Sequence, residues 1–311
     1  MKIVFMGTPE AAVPCLSRLV ADGHEICDVW TQPDRPSGRG KKLKAPAVKI
    51  FAEDNGLRVF QPTKIKTKES RERFSANNAD VAVVVAYGRI LPESYLSAFE
   101  FGAINVHFSL LPKYRGAAPV NWAIANGETT TGVTTMLMDT GLDTGDILKQ
   151  MRVEILSDET APSLMNRLSE VGAELLSETI SDFHSILPRK QEEAEASFAP
   201  LFEKSDGLVD WSLPAVEIVN RIRGFQPFPG SFSYLKGKRV ILWDAKAVAN
   251  AEGLVAGQVG RGDGKGVVVG CGGETCVEIH ALQLEGKARS DSAAFKAQSG
   301  IEAGDFFCDD K

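Results

Sequence analysis

Short apolar runs recur through the first half of the chain, and between them lie stretches whose apolar residues return every three or four positions. Lys2 to Met6 reads as a buried strand and Ala11 to Asp22 as the helix that follows it; Ile26 to Thr31, Val81 to Ala86 and Gly102 to Val106 repeat the strand pattern. This alternation leaves few folds open, because parallel strands need long crossovers, and the helices that supply them cover the faces of the sheet. The expectation is an α/β domain with a doubly wound, mostly parallel sheet, whose ligands sit outside the carboxyl ends of its strands. Thr134 to Met138 and Ile147 to Val153 add later strands, and Ala161 to Leu187 carries Leu164, Leu168, Val171, Leu175 and Ile180 at helical spacing.

Pro188 ends that pattern, and the Glu-rich run Arg189 to Ser197 reads as a solvated linker. After it the texture changes. One helical piece, Pro214 to Gly224, precedes short Val-rich runs punctuated by glycine: Arg239 to Trp243, Val255 to Val259, Gly266 to Val269 and Cys276 to Leu282. Runs of that length and spacing predict a small β-barrel or sandwich. A chain of 311 residues is long enough for two cores. The expected organisation is a first domain over 1–187, a linker over 188–206 and a barrel-like domain over 207–311.

Several chemistries are disfavoured by what stands at the usual positions. Gly7-Thr8-Pro9 follows the first strand, but Pro9 and Val13 occupy the second and third glycine positions of a dinucleotide fingerprint, so a nicotinamide or flavin is not expected. No phosphate-binding G-x-x-x-x-G-K-[ST] loop is present. The four histidines lack metal-ligand spacing, and Cys271 and Cys276 have four residues between them with no further ligand close by, so no metal is expected. Five scattered cysteines suit a reducing compartment, and no apolar run is long enough to span a bilayer, so the cytoplasm is the expected location.

The segment Asn105-Val106-His107-Phe108-Ser109-Leu110-Leu111-Pro112 is different. Two residues apart at a strand end, Asn105 and His107 face the same way, and an amide beside an imidazole suits polarising a carbonyl and moving a proton. Turn chemistry is the ordinary reading of such a pair. The small-residue stretch Arg115-Gly116-Ala117-Ala118-Pro119 tilts the balance, because it lets backbone approach a ligand. Met138 to Asp146 reads as a turn between strands, in which a carboxylate could orient or charge-stabilise His107.

These residues carry a resemblance. Gly7-Thr8-Pro9, Gln32 to Pro36, Val85-Ala86-Tyr87-Gly88, the Asn105 to Pro119 block, Gly141 to Asp146 and Asp210-Trp211-Ser212 make the chain similar, nearly end to end, to the methionyl-tRNA formyltransferases, a branch of the folate-dependent formyltransferase family. The resemblance implies a Rossmann-like formyltransferase domain with an OB-like barrel behind it. It implies transfer of a formyl group from 10-formyltetrahydrofolate to the α-amine of initiator methionyl-tRNA, without metal, membrane or obligate protein partner. It places Asn105, His107 and Asp143 in the catalytic positions and Ser109, Leu110, Leu111 and Pro112 along the folate site. Phe108 departs from the pattern, since the family usually has a small residue there.

Charge is distributed unevenly. The formal total is −6, yet Arg35, Arg39, Lys41, Lys42, Lys44 and Lys49 stand in one stretch with no acidic residue. The default for such a run is a solvated, flexible surface loop. Its match to the family's tRNA-contacting insertion implies a phosphate-binding role for Arg39, Lys41, Lys42 and Lys44. From Arg221 to Lys265, eight basic residues outnumber three acidic ones, as a nucleic-acid platform would require. Formylation of a small amine such as an amino sugar or purine precursor, hydrolysis of 10-formyltetrahydrofolate, and RNA binding without catalysis remain the alternatives.

Overall fold

In the computed structural model, which describes residues 1–37 and 42–308, seven strands form the sheet that the alternation calls for. They are β1 (Lys2–Gly7), β2 (Glu25–Trp30), β3 (Val59–Phe60), β4 (Val81–Val85), β5 (Ala103–His107), β6 (Thr130–Leu137) and β7 (Ile147–Glu154). Their spatial order is β7-β6-β5-β4-β1-β2-β3. β1 to β5 run parallel to one another, whereas β6 pairs antiparallel with both β5 and β7. The central strands β1 and β4 are buried along almost their whole length, as strands covered on both faces must be.

Side chains on the two faces of this sheet pack against different helices. Val4, Met6, Ala82 and Val84 share a core with Phe74 of the helix Lys68–Ser75 and with Tyr95 and Leu96 of the short helix Glu93–Leu96. Trp30 anchors this core edge-on to Phe60, Phe74 and Tyr95. The helix Lys68–Ser75 has no apolar stripe to announce it. Thr67 accepts a hydrogen bond from the Ser70 N–H and caps it, and Phe74 fixes it to the core.

The opposite face takes the long helix Ala161–Ser181, which ends short of the expected Leu187. Gly172 lies where this helix crosses β5 and β6. A Cβ at that position would stand 3.2 Å from Val106 Cγ1 and 3.4 Å from Phe108 Cε1. Phe108 is buried there, so its ring occupies the core beneath the helix. Gly172→Leu should therefore lower stability by about 1–3 kcal/mol through overpacking. In urea unfolding, adding Phe108→Ala should recover part of that loss; strictly additive effects would show that the two residues do not share the space.

The chain divides into two compact units. The first comprises Met1–Pro119, Thr130–Glu154 and Met165–Ala199; the second comprises Val120–Thr129, Ile155–Leu164 and the chain from Pro200 onward. Part of the stretch read as a linker makes specific contacts within the first unit: Arg189 bridges to Ile147, and Phe198–Ala199 pairs in parallel with Arg115–Gly116.

The second unit contains an antiparallel, barrel-like sheet of Ser231–Leu235, Lys238–Ala249, Val267–Cys271 and Thr275–Leu284, with Phe307–Cys308 on one edge and Ser290–Asp291 paired to Thr275–Leu284. Register irregularities at Leu242 to Ala245 bend its longest strand. The helix Ala215–Gly224 packs Ile218 and Ile222 into a core with Leu242, Val269, Val277 and Ile279. Val255 to Val259, expected as a strand, contributes only isolated bridges at Gln258 and Val259, because Gly257 just before them adopts φ +78°. Ser231–Leu235 was hidden by its serines. They point inward, where Ser233 Oγ accepts a hydrogen bond from Trp211 Nε1 and donates to the Cys308 carbonyl.

Candidate active site

Alternation along β5 sends Ile104 and Val106 to one face and Ala103, Asn105 and His107 to the other, and His107 closes the strand at its carboxyl end. Register fixes Asn105 between Val84 and Met136. Both polar side chains are buried, at 9% exposure for Asn105 and 6% for His107. Among the described residues the Asn105 side chain makes no hydrogen bond, which leaves its amide N–H groups free to donate.

Both ring nitrogens of His107 face a partner. Its Nε2 lies 3.0 Å from the Tyr114 carbonyl, which can only accept, so the N–H is on Nε2. Nδ1 faces Asp143 Oδ2 at 3.7 Å. In the neutral ring Nδ1 therefore carries the lone pair, and a proton taken up there sits opposite a carboxylate. Asp143 reaches this position from a left-handed backbone, φ +54°, and its Oδ2 also accepts the Gly116 N–H at 2.8 Å. Gly116 is required by space and conformation together. It has φ +124°, and a Cβ would meet the Ala199 carbonyl oxygen at 2.6 Å.

A cavity of about 110 Å³ opens beside Asp143, lined by Arg89 to Leu91, Met136, Met138 and the loop Asp139–Asp143. Ile90, 79% exposed, and Leu142, 55% exposed, offer apolar walls to it. The residues expected along the folate site, Ser109 to Pro112, form the turn that follows His107. Ser109, Leu111 and Pro112 are buried, and Leu110 lies against Gly132. Thr134 and Gln150 tie this turn down: Thr134 Oγ1 donates to the Ser109 carbonyl and accepts the Leu111 N–H, while Gln150 Nε2 donates to the Leu111 carbonyl. These bonds fix the shape of the Ser109 to Pro112 turn directly after His107.

A second cavity, about 620 Å³, lies at the carboxyl ends of β1, β2 and β4, lined by Thr8, Gln32, Tyr87 and Gly88 together with Arg35 and Lys44. Those two cations belong to the basic stretch. Its described parts, Arg35–Ser37 and Lys42–Lys44, pair as an antiparallel hairpin where a flexible loop was expected. Lys44 is exposed; Arg39 and Lys41 lie outside the described residues.

Burial acts on several other ionisable groups. It pushes the Cys15 and Cys271 thiols and the Tyr87 phenol up to about 12, and it raises Cys27 and Cys276 as well. None of these cysteines is poised as a nucleophile. Among the described residues no group of three or more His, Cys, Asp or Glu side chains could hold a metal, and no helix is long and apolar enough to cross a membrane.

Known proteins share this architecture over the whole chain. The family model described as "Formyl transferase" matches residues 1–180, and "Formyl transferase, C-terminal domain" matches 202–300. The chain belongs to the formyl transferase family. A methionyl-tRNA formyltransferase of Geobacter sulfurreducens is 46% identical over 306 residues, 98% of this chain and 96% of the relative. One from Caldanaerobacter subterraneus is 46% identical over 292 residues, 93% and 94%. Among solved structures, an N-formyltransferase from Helicobacter canadensis in complex with folinic acid and dTDP-3-aminofucose superposes with a TM-score of 0.69 at 19% identity, covering 90% of this chain and 98% of that one. The methionyl-tRNA formyltransferase from Clostridium thermocellum gives 0.58 at 17% identity, with the same coverages. These structures share the fold of this formyl transferase family member, whereas the full-length relatives share nearly half its residues.

Proposed function

We propose that the chain transfers the formyl group of 10-formyltetrahydrofolate to the α-amino group of methionine on initiator methionyl-tRNA, in the cytoplasm. The observation that carries this reading is the end-to-end identity with relatives of that name, in a chain whose Asn105, His107 and Asp143 converge on one strand end.

The chemistry needs no enzyme nucleophile, because the amine of the aminoacyl ester attacks the formyl carbon. A C–N bond forms and the formyl oxygen becomes an oxyanion; the bond from that carbon to folate N10 then breaks. Overall the amine loses a proton and N10 gains one. His107 Nδ1 is the acceptor and donor of that proton, with Asp143 facing the imidazolium, and the Asn105 amide donates to the oxyanion. The flat ring of the folate enters between Ile90 and Leu142, which puts its formyl-bearing end beside Asp143. Ser109 to Pro112, the turn that follows His107, line the folate site and are held in shape by Thr134 and Gln150.

Transfer RNA approaches from the larger cavity. Lys44 lines it, and with Arg39, Lys41 and Lys42 of the same stretch it contacts the acceptor end. Residues 1–187, with the contacts made by 189–199, carry the chemistry, and the chain from 207 grips tRNA through the basic Arg221 to Lys265 segment.

The test is direct. Purified protein incubated with 10-formyltetrahydrofolate and charged initiator methionyl-tRNA should yield acid-stable formyl-methionine. A dTDP-linked amino sugar offered in parallel should stay unformylated, and tetrahydrofolate release without either acceptor should be slow. Absence of formyl-methionine at any enzyme concentration would sink the reading.

A further inference from the structure

Asp143 is drawn into place by a residue of the polar run that follows the long helix. Gln191 Nε2 donates to the Asp143 carbonyl and to the Gly145 carbonyl, both at 2.8 Å. The orientation of that amide is dictated by its other end, since Gln191 Oε1 receives Arg115 Nε at 3.0 Å and Nη2 at 2.9 Å. Arg115 is only 3% exposed, and its remaining terminal nitrogen, Nη1, holds the Glu193 carboxylate at 2.6 Å. The next residue, Gly116, donates its N–H to the Asp143 side chain. One structure thus grips the aspartate twice, by its main chain through Gln191 and by its carboxylate through Gly116.

The two grips answer a specific need. The loop Asp139–Asp146 is exposed over its first half, up to Leu142, and Asp143 has a backbone conformation that non-glycine residues seldom adopt. Left to itself, such a residue relaxes and its carboxylate leaves the imidazole. A glutamine suits this place because it offers two N–H donors for two carbonyls and an oxygen for the guanidinium. A carboxylate would repel both carbonyls, and alanine would abandon all four bonds.

We infer that Gln191, oriented by Arg115, is a positioning residue that acts on the reaction only through Asp143. The inference builds on the proposed formyl transfer for its kinetic test, and it has a second readout that does not. Gln191→Ala should lower kcat about 10- to 100-fold, as a displacement near 1 Å does, with the KM values for both substrates within about threefold. In an Asp143→Asn background the same change should cost less than about threefold, because the group it positions is already disabled. An equal loss in both backgrounds, or no loss at all, would overturn the inference. Gln191→Glu, which keeps the size and the link to Arg115, covers the case in which the alanine variant fails to fold.

The second readout is amide exchange at Gly116, whose N–H is protected by the Asp143 carboxylate. Gln191→Ala should speed that exchange about tenfold or more while the amides of β1 and β4 keep theirs. Unchanged Gly116 protection would overturn the positioning role even if the protein formylates methionyl-tRNA. Faster exchange in a protein that makes no formyl-methionine would leave the positioning in place and remove the proposed activity.

Discussion

His107→Ala is expected to lower kcat for formyl-methionyl-tRNA formation by roughly two to four orders of magnitude, with KM for the tRNA little changed. The size follows from the place of Nδ1, which is the lone-pair nitrogen of a ring whose Nε2 is committed to the Tyr114 carbonyl. The ring is buried, so alanine also opens space and loosens the turn at Tyr114. His107→Gln separates the two effects. A glutamine amide can still donate to the Tyr114 carbonyl, yet it cannot take up a proton. If proton transfer at Nδ1 is the source of the rate, glutamine should be nearly as slow as alanine while unfolding close to the wild-type temperature. Single-turnover kinetics under saturating tRNA measure this without product release. A glutamine variant retaining more than about a tenth of wild-type turnover would take His107 out of the proton path.

Much of this site could be read from the residues, because it lies where periodic structure ends. Asn105 and His107 share a face by the period-2 rule, and the small residues after Arg115 mark a loop that lets backbone come close. What holds the Ser109 to Pro112 turn is not local: Thr134 and Gln150 tie it down, and these partners stand on strands 23 and 39 residues away from Leu111. Ile90 and Leu142 are a different case. An exposed apolar residue carries no local signature, and it acquires meaning only when two of them face one cavity.

Gln191 shows the limit most clearly. Lys190-Gln191-Glu192-Glu193 has the composition of a solvated linker, with no periodicity and no glycine or proline to mark a turn. Its structure comes from Arg115, a residue 76 positions earlier, which takes Gln191 and Glu193 together. Phe108 is the converse. The ring that departs from the family pattern in sequence turns out to face Gly172 of the long helix, away from the face that carries Asn105 and His107. Local composition could signal neither outcome, because each depends on a partner supplied by a distant element.

Asn105 carries the second large expectation. Asn105→Ala should reduce kcat by about 10²- to 10³-fold, the cost of removing one preorganised donor from a developing oxyanion, with KM for the formyl donor nearly unchanged. The informative comparison is Asn105→Asp. Aspartate matches asparagine in shape, so if the side chain served only to fill space between Val84 and Met136, the isostere should be milder than alanine. As an oxyanion donor, asparagine has the opposite ranking. Aspartate replaces two N–H groups with negative charge in a buried place and repels the very oxygen that must be stabilised. It should therefore be at least as slow as alanine. Because the Asn105 side chain makes no hydrogen bond among the described residues, the alanine change removes no bond that holds the resting structure, and its loss should appear in kcat with little change in thermal stability. An aspartate variant clearly faster than alanine would make Asn105 a packing residue and shift the burden of oxyanion stabilisation onto His107 alone.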